Sequence, residues 1–238
     1  MSTKPFKFKE FTVQQDRCAM KIGTDGVLLG AWTSLKGSPF SVLDIGAGTG
    51  LIALMIAQRS NAELIDAIEI DDDAYEQCVG NFETSPWGDR LFCYHAGFDE
   101  FVEEIEDKYD LIISNPPFYT EDFTSQDNQR EKARSNFSLP FEDLLKGVSL
   151  LLSPSGVFSI IIPYKEEVSF LELASKNNLF PNRVLRVKGN PTSEIKRSLI
   201  ELSFLESDCN YAELIIEKER HKYTTDYIEL TTDFYLKM

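Results

Sequence analysis

"DIGAGTG", residues 44–50, stands between the apolar run "SVLDI" (41–45) and "GLIALMIAQRS" (50–60), where Leu51, Leu54, Met55 and Ala57 recur at helical spacing. A strand, a glycine-rich turn and a helix in that order form the ligand loop of an open α/β sheet. Gly46, Gly48 and Gly50 allow unusual backbone angles and let a ligand approach the main chain. The nicotinamide fingerprint G-x-G-x-x-G is not met, because position 51 is Leu. Asp44, beside the loop, would repel a diphosphate but suits the ammonium end of an amino-acid-bearing cofactor.

The same alternation continues outward. "LIDAIEI" (64–70) predicts a second strand, "DDDAYEQCVGNFE" (71–83) a helix opened by carboxylates, and "RLFCYH" (90–95) a third strand. "YDLIIS" (109–114), a helix around "FEDLLKGVSLLL" (141–152) and "GVFSIIIP" (156–163) follow, which gives a parallel sheet with helices on both faces. After a helix at about 165–178, "RVLRVKG" (183–189) and "RSLIELSFL" (197–205) are too close for a crossover and should pair antiparallel. "AELIIEK" and "YTTDYIEL" read as two closing strands, "FKFKEF" as an early edge strand, and "TDGVLLGAW" (24–32) as a helix capped by Thr24 or Asp25.

The 238 residues carry no repeat, low-complexity tract or linker, so one domain is expected. Four scattered cysteines and two histidines argue against a zinc site and fit a reducing, cytoplasmic setting. The first residues lack an apolar core of the signal-peptide kind, and no run reaches the ~18 apolar residues of a membrane span. A net charge of −15 opposes unspecific attraction to a polyanion. Much of the acid is local, seven carboxylates within "DEFVEEIEDKYD" (99–110), whereas basic residues gather in 4–9, 130–134 and 183–197. If these three meet on one face, an acidic protein keeps a basic patch.

S-adenosylmethionine offers an ammonium, a sulfonium and a ribose with two hydroxyls. Glu69, ending the second strand, can accept both hydroxyls, while Asp71 suits the cap of the next helix. On "DIGAGTG" and "IEID" the chain resembles the class I S-adenosylmethionine-dependent methyltransferases. The resemblance implies an α/β fold: a Rossmann-like, seven-stranded, mostly parallel sheet with helices on both faces and an antiparallel last strand. It also implies Asp44, Gly46, Gly48, Gly50 and Glu69 as cofactor residues. Many relatives place an acid just after the third strand to hold the adenine amino group. Here Gly97 stands near that place and Asp99 lies further along, which leaves backbone groups and Phe98 to hold adenine.

"SNPPFY" (114–119) ends the fourth strand, beside the first across the switch point. An exocyclic amine is a poor nucleophile, because its lone pair is delocalised into the ring. The side-chain carbonyl of Asn115 and the main-chain carbonyl of Pro116 can accept from its hydrogens and stabilise the charge built during transfer. Pro116 and Pro117 stiffen the turn, and Phe118 offers a stacking face. No general base is required, and neither histidine suggests one. "NPPF" resembles the fourth motif of methyltransferases acting on planar nitrogens, whose relatives serve adenine N6, guanine N2 and glutamine.

The opening "FKFKEFTVQQDRCAMKIGTDGVLLGAW", "SNPPFY", "KAR" and "RVLRVKGNPTSEIKRSLIEL" resemble the tRNA1(Val) adenine N6-methyltransferase family over about residues 6–205. That family modifies the adenine next to the anticodon. The resemblance implies Lys21, Thr24 and Asp25 near the methionine part, a tRNA partner, and one domain over 1–238 with an N-terminal extension of about 40 residues folded onto it. Tyr119, Arg130, Arg134, Lys188, Lys196 and Arg197 are the expected RNA contacts, and a steep salt dependence follows from them. The alternatives are a protein glutamine N5-methyltransferase, a ribosomal RNA guanine N2-methyltransferase and, more remotely, a non-catalytic S-adenosylmethionine-binding protein.

Overall fold

The computed structural model describes residues 4–117 and 139–238. Two short strands, β1 (Phe6–Lys7) and β2 (Thr12–Val13), pair as a hairpin outside the main sheet. The main sheet contains β3 (Ser41–Ile45), β4 (Leu64–Glu69), β5 (Leu91–His95), β6 (Tyr109–Ser114), β7 (Leu152–Pro163), β8 (Phe180–Lys188), β9 (Ile195–Ser203) and β10 (Asn210–Ile215). Their order across the sheet is β5-β4-β3-β6-β7-β9-β8-β10. All run parallel except β9, which opposes both neighbours. All residues of β3 are buried, as expected of a strand covered on both faces.

Helices α1 (Thr24–Trp32), α2 (Leu51–Arg59) and α3 (Asp72–Glu83) cover one face, packing Leu28, Met55 and Phe82 against Val42, Ile65 and Leu199. The short helix α4 (Phe98–Glu104) and the helices Phe141–Leu151 and Glu167–Lys176 cover the other, around Leu43, Ile112, Phe158 and Ile200. The order reverses between β3 and β6, so a crevice opens at their carboxyl ends, where the glycine turn and the Asn-Pro-Pro turn both lie.

The seven expected strands are present, with β9 as the antiparallel one, and β10 adds an eighth beside β8. "YTTDYIEL" is not a strand: Thr225–Thr231 is a helix, because Thr224 caps it by accepting from Tyr227 N–H at 3.2 Å. Tyr227 and Thr231, four apart, are its buried face. Neither Thr24 nor Asp25 caps α1; Gly23 holds that position without a side-chain bond. "FKFKEF" pairs with β2 and, through Phe8, with Tyr235 near the other end of the chain. Among the described residues no helix is long and apolar enough to cross a membrane.

Candidate active site

Gly46 and Gly48 have φ of 72° and 58°, so the turn after β3 needs residues without a Cβ penalty. The N–H groups of Gly46 and Ala47 both donate to Ile68 O at 3.0 Å, which folds the turn over the end of β4. A Cβ on Gly46 would meet nothing within 4 Å, and one on Gly48 only Cys18 Sγ at 3.9 Å. The space beside these two glycines is therefore not filled by the described residues. Gly50 serves packing instead, since a Cβ there would lie 2.5 Å from Phe82 Cε1 and 2.9 Å from Cys78 Sγ, and its bareness lets α2 approach α3.

Asp44 is 1% exposed. Its Oδ2 accepts from Ala53 N–H at 3.1 Å in the first turn of α2, but Oδ1 has no partner among the described residues. Burial pushes its carboxyl up to about 7, the Ala53 N–H opposing and the charge of Glu69 adding. A buried, half-satisfied carboxylate is costly, and a ligand ammonium is the group that would relieve it. Glu69 accepts from Gly48 N–H at 2.7 Å through one oxygen, and from Ile70 and Asp71 N–H at 2.9 and 3.0 Å through the other. Asp71 caps α3 by accepting from Ala74 N–H at 2.9 Å. Glu69 thus ties the glycine turn to the end of β4, the position from which a ribose diol would be met.

The Asn-Pro-Pro turn is pinned to the same place, because Ser114 Oγ donates to Ile45 O at 3.0 Å. Asn115 is half-buried, Pro116 buried and Pro117 exposed. Asn115 Nδ2 lies 3.8 Å from where a Cβ of Gly26 would stand, so its amide nitrogen is turned toward α1. Phe118, Tyr119, Arg130 and Arg134 lie outside the described residues.

A cavity of about 570 Å³ joins the two turns, lined by Gly46, Ser114, Pro116 and Pro117 on one side and by Ile70, Gly97, Phe98 and Lys146 on the other. The Phe98 ring is held against the helix Phe141–Leu151: a Cβ on Gly147 would be 2.4 Å from its Cε1. At the far end Asp99 lies nearer than counting along the strand end suggests. Gly97 N–H already donates to Glu100 Oε2 at 3.2 Å, while Asp99 folds back so that its Oδ1 lies 2.8 Å from a Cβ position on Gly97 and lines the cavity. A helix turn brings the acid back to where the strand end lacks one.

Residues 14–22 pack against α3 and beside the glycine turn. Asn81 in α3 donates to Gln14 O at 3.0 Å and Thr49 O at 2.9 Å and accepts from Gln14 N–H at 2.8 Å, while Gln77 accepts from Arg17 N–H at 2.9 Å. The sequence reading misses both amides. Their signal is polar residues four apart on the buried stripe of α3. Lys21 Nζ donates to the carbonyls of Gln15 and Cys18, and Thr24 merely opens α1. Asp25 Oδ2 accepts from Arg197 Nε at 2.8 Å, so an expected cofactor residue and an expected phosphate contact bind each other.

The basic stretch 183–197 is likewise paired internally. Arg183 contacts Glu201 at 2.5 Å and lies over the Trp32 ring, Arg186 contacts Glu167 at 2.6 Å, and Lys188 contacts Glu213 at 2.9 Å. Lys196, its side chain 66% exposed, stands 3.9 Å from Glu194. The carboxylates that meet Arg183, Arg186 and Lys188 come from β9, the helix starting at Glu167 and β10, so these pairings are invisible along the chain.

The methyltransferase small domain family model matches residues 27–133. Among solved structures, a predicted O-methyltransferase from Agrobacterium tumefaciens superposes with a TM-score of 0.67 at 18% identity, over 88% of this chain and 96% of that one. A tRNA1(Val) (adenine(37)-N6)-methyltransferase of Flavobacterium johnsoniae is 60% identical over 98% of this chain and 100% of its own length. One from Christiangramia forsetii is 61% identical over 100% of both chains. With such identity over its whole length, this chain belongs to the family of the tRNA1(Val) (adenine(37)-N6)-methyltransferases.

Proposed function

We infer that this chain is an S-adenosylmethionine-dependent methyltransferase that modifies N6 of adenine 37 in tRNA1(Val), the substrate its relatives are named for. One observation carries the reading: a single cavity runs from the glycine turn to the Asn-Pro-Pro turn, so donor and acceptor groups can meet at its rim. The chemistry of the lining and of the carboxylates beside the glycine turn suits the cofactor. Asp44 Oδ1, without a partner among the described residues, would take the ammonium, Glu69 the ribose, and Phe98 with Asp99, which line the cavity, the adenine. When bound, S-adenosylmethionine supplies an electrophilic methyl group.

The protein's part is to hold the target amine. The Asn115 side-chain carbonyl and Pro116 main-chain carbonyl accept its two hydrogens, oppose delocalisation of its lone pair and bear the positive charge as it develops. Pro116 has no N–H to compete, and Ser114 fixes the turn to β3, so these acceptors need no reordering. Methylation makes the nitrogen acidic enough to release its proton to water or to an acceptor already in place.

The test is to incubate the protein with labelled S-adenosylmethionine and total tRNA, ribosomal RNA or release factor in parallel, then analyse digested nucleosides and peptides by mass. N6-methyladenosine arising at position 37 of tRNA1(Val) is expected. Label appearing instead on guanine N2 or glutamine would overturn the assignment, and no label at all would leave only cofactor binding.

A further inference from the structure

Arg186 leaves β8 on the face covered by the helix Glu167–Lys176. Its Cζ lies 5.0 Å from the ring centroid of Tyr211 on β10 and 5.5 Å from that of Tyr164, the residue after β7. The rings are 51% and 38% exposed. Beneath them Glu167 accepts from Arg186 through Nε and Nη2 and from Ser198 Oγ, so the guanidinium charge is closed from below. Aromatic ring, guanidinium and aromatic ring thus run in a row from the turn after β7, past β9, to β8 and β10 on one side of the sheet.

The row begins just past β7, the strand beside the one that ends at Asn115. β6 and β7 are parallel with Ser114 opposite Ile160, and Tyr164 is four residues beyond Ile160 in the direction in which Asn115 leaves β6. At about 3.3 Å per residue, Tyr164 stands roughly 13 Å beyond the level of Ser114, and at about 4.8 Å between strands, β8 and β10, which carry Arg186 and Tyr211, lie roughly 14 and 19 Å across the sheet from β6. A protein of charge −15, in which each cation of 183–197 has an acid within 4 Å, has little uncompensated charge here to attract phosphates. What this rim offers an RNA is flat π faces, and the unpaired bases of a loop are the part of an RNA that can use them.

We propose that Tyr164, Arg186 and Tyr211 form a stacking ladder that receives unpaired nucleobases of the anticodon loop flanking the target adenine. The proposal rests on the tRNA-methylating function inferred above. The probe is a synthetic tRNA1(Val) anticodon stem-loop carrying 2-aminopurine beside adenine 37, bound to full-length wild type, Tyr164→Ala, Tyr211→Ala and the two Phe variants. Wild type and both Phe variants should quench the fluorescence. Each Ala variant should lose quenching and bind about tenfold more weakly, while cofactor affinity is unchanged. Ala variants that melt earlier yet bind and quench like wild type would show that the rings only cover the Arg186–Glu167 pair, and the ladder would be refuted alone. Wild type that fails to methylate any tRNA would remove the functional reading and the ladder with it.

Discussion

The crevice between β3 and β6 and the rim along β8 and β9 are both marked by short sequence stretches, yet they are built differently. At the crevice, "DIGAGTG" and "SNPP" place their groups by local turns: glycines at positive φ, prolines without N–H, and the side chains of Asp44 and Asn115 at the ends of β3 and β6. At the rim, the basic residues of 183–197 are paired with carboxylates that arrive from other strands and a helix. A group placed by its own turn travels with the local sequence, whereas a charge paired across strands is settled only when the sheet is assembled.

The strongest test of that contrast is Asn115→Ala. Loss of one preorganised acceptor should lower kcat by about 10² to 10³-fold and leave cofactor affinity intact, measured by single turnover and calorimetry. An unchanged kcat would refute the catalytic role proposed for the turn. Glu69→Ala should act on the other side of the same crevice, weakening cofactor binding about 10 to 100-fold. Because Glu69 also accepts from Gly48, Ile70 and Asp71, the ligand-free protein should melt earlier too, and a variant with normal calorimetry and normal melting would contradict the geometry.

How much of the crevice is legible follows from the same logic. The strand order, the glycine turn and the Asp71 cap are readable because each depends on residues within a few positions. Asp99 lies too far along by strand-end counting, which ignores that α4 turns its first residues back over Gly97. The closing helix Thr225–Thr231 resembles a strand because "YTTDYIEL" is rich in residues that favour sheets, and the Thr224 cap outweighs that preference. Asn81 and Gln77, which hold residues 14 and 17, carry only the faint signal of two amides four apart on a buried stripe.

A smaller effect comes from Asp44. Its carboxyl is raised from the usual range to about 7, so between about pH 4 and 7 the ligand-free protein holds a proton there that the unfolded chain has released. This contribution to stability is present at low pH and lost as pH rises through 7. A cofactor ammonium favours the ionised form, so binding near pH 6 should release a proton and tighten as pH rises. Calorimetry in buffers of different ionisation enthalpy measures this, and binding without proton release would rule it out. The smallest effect belongs to the rim: Lys196→Ala should flatten the log–log salt slope of RNA binding by about 0.7, the share of one single-strand phosphate, and Lys188→Ala by nothing. Equal losses at both lysines would mean that the Lys188–Glu213 pair opens for RNA.

What holds residues 14–22 in place lies far from the crevice. They pack beside the glycine turn, but the hairpin that leads into them is fastened by Lys9 N–H to Phe234 O and by the Phe8–Tyr235 bridge. Order beside the glycine turn therefore leans on a clasp between segments more than two hundred positions apart, and loosening Phe234 should be felt at a turn it never touches.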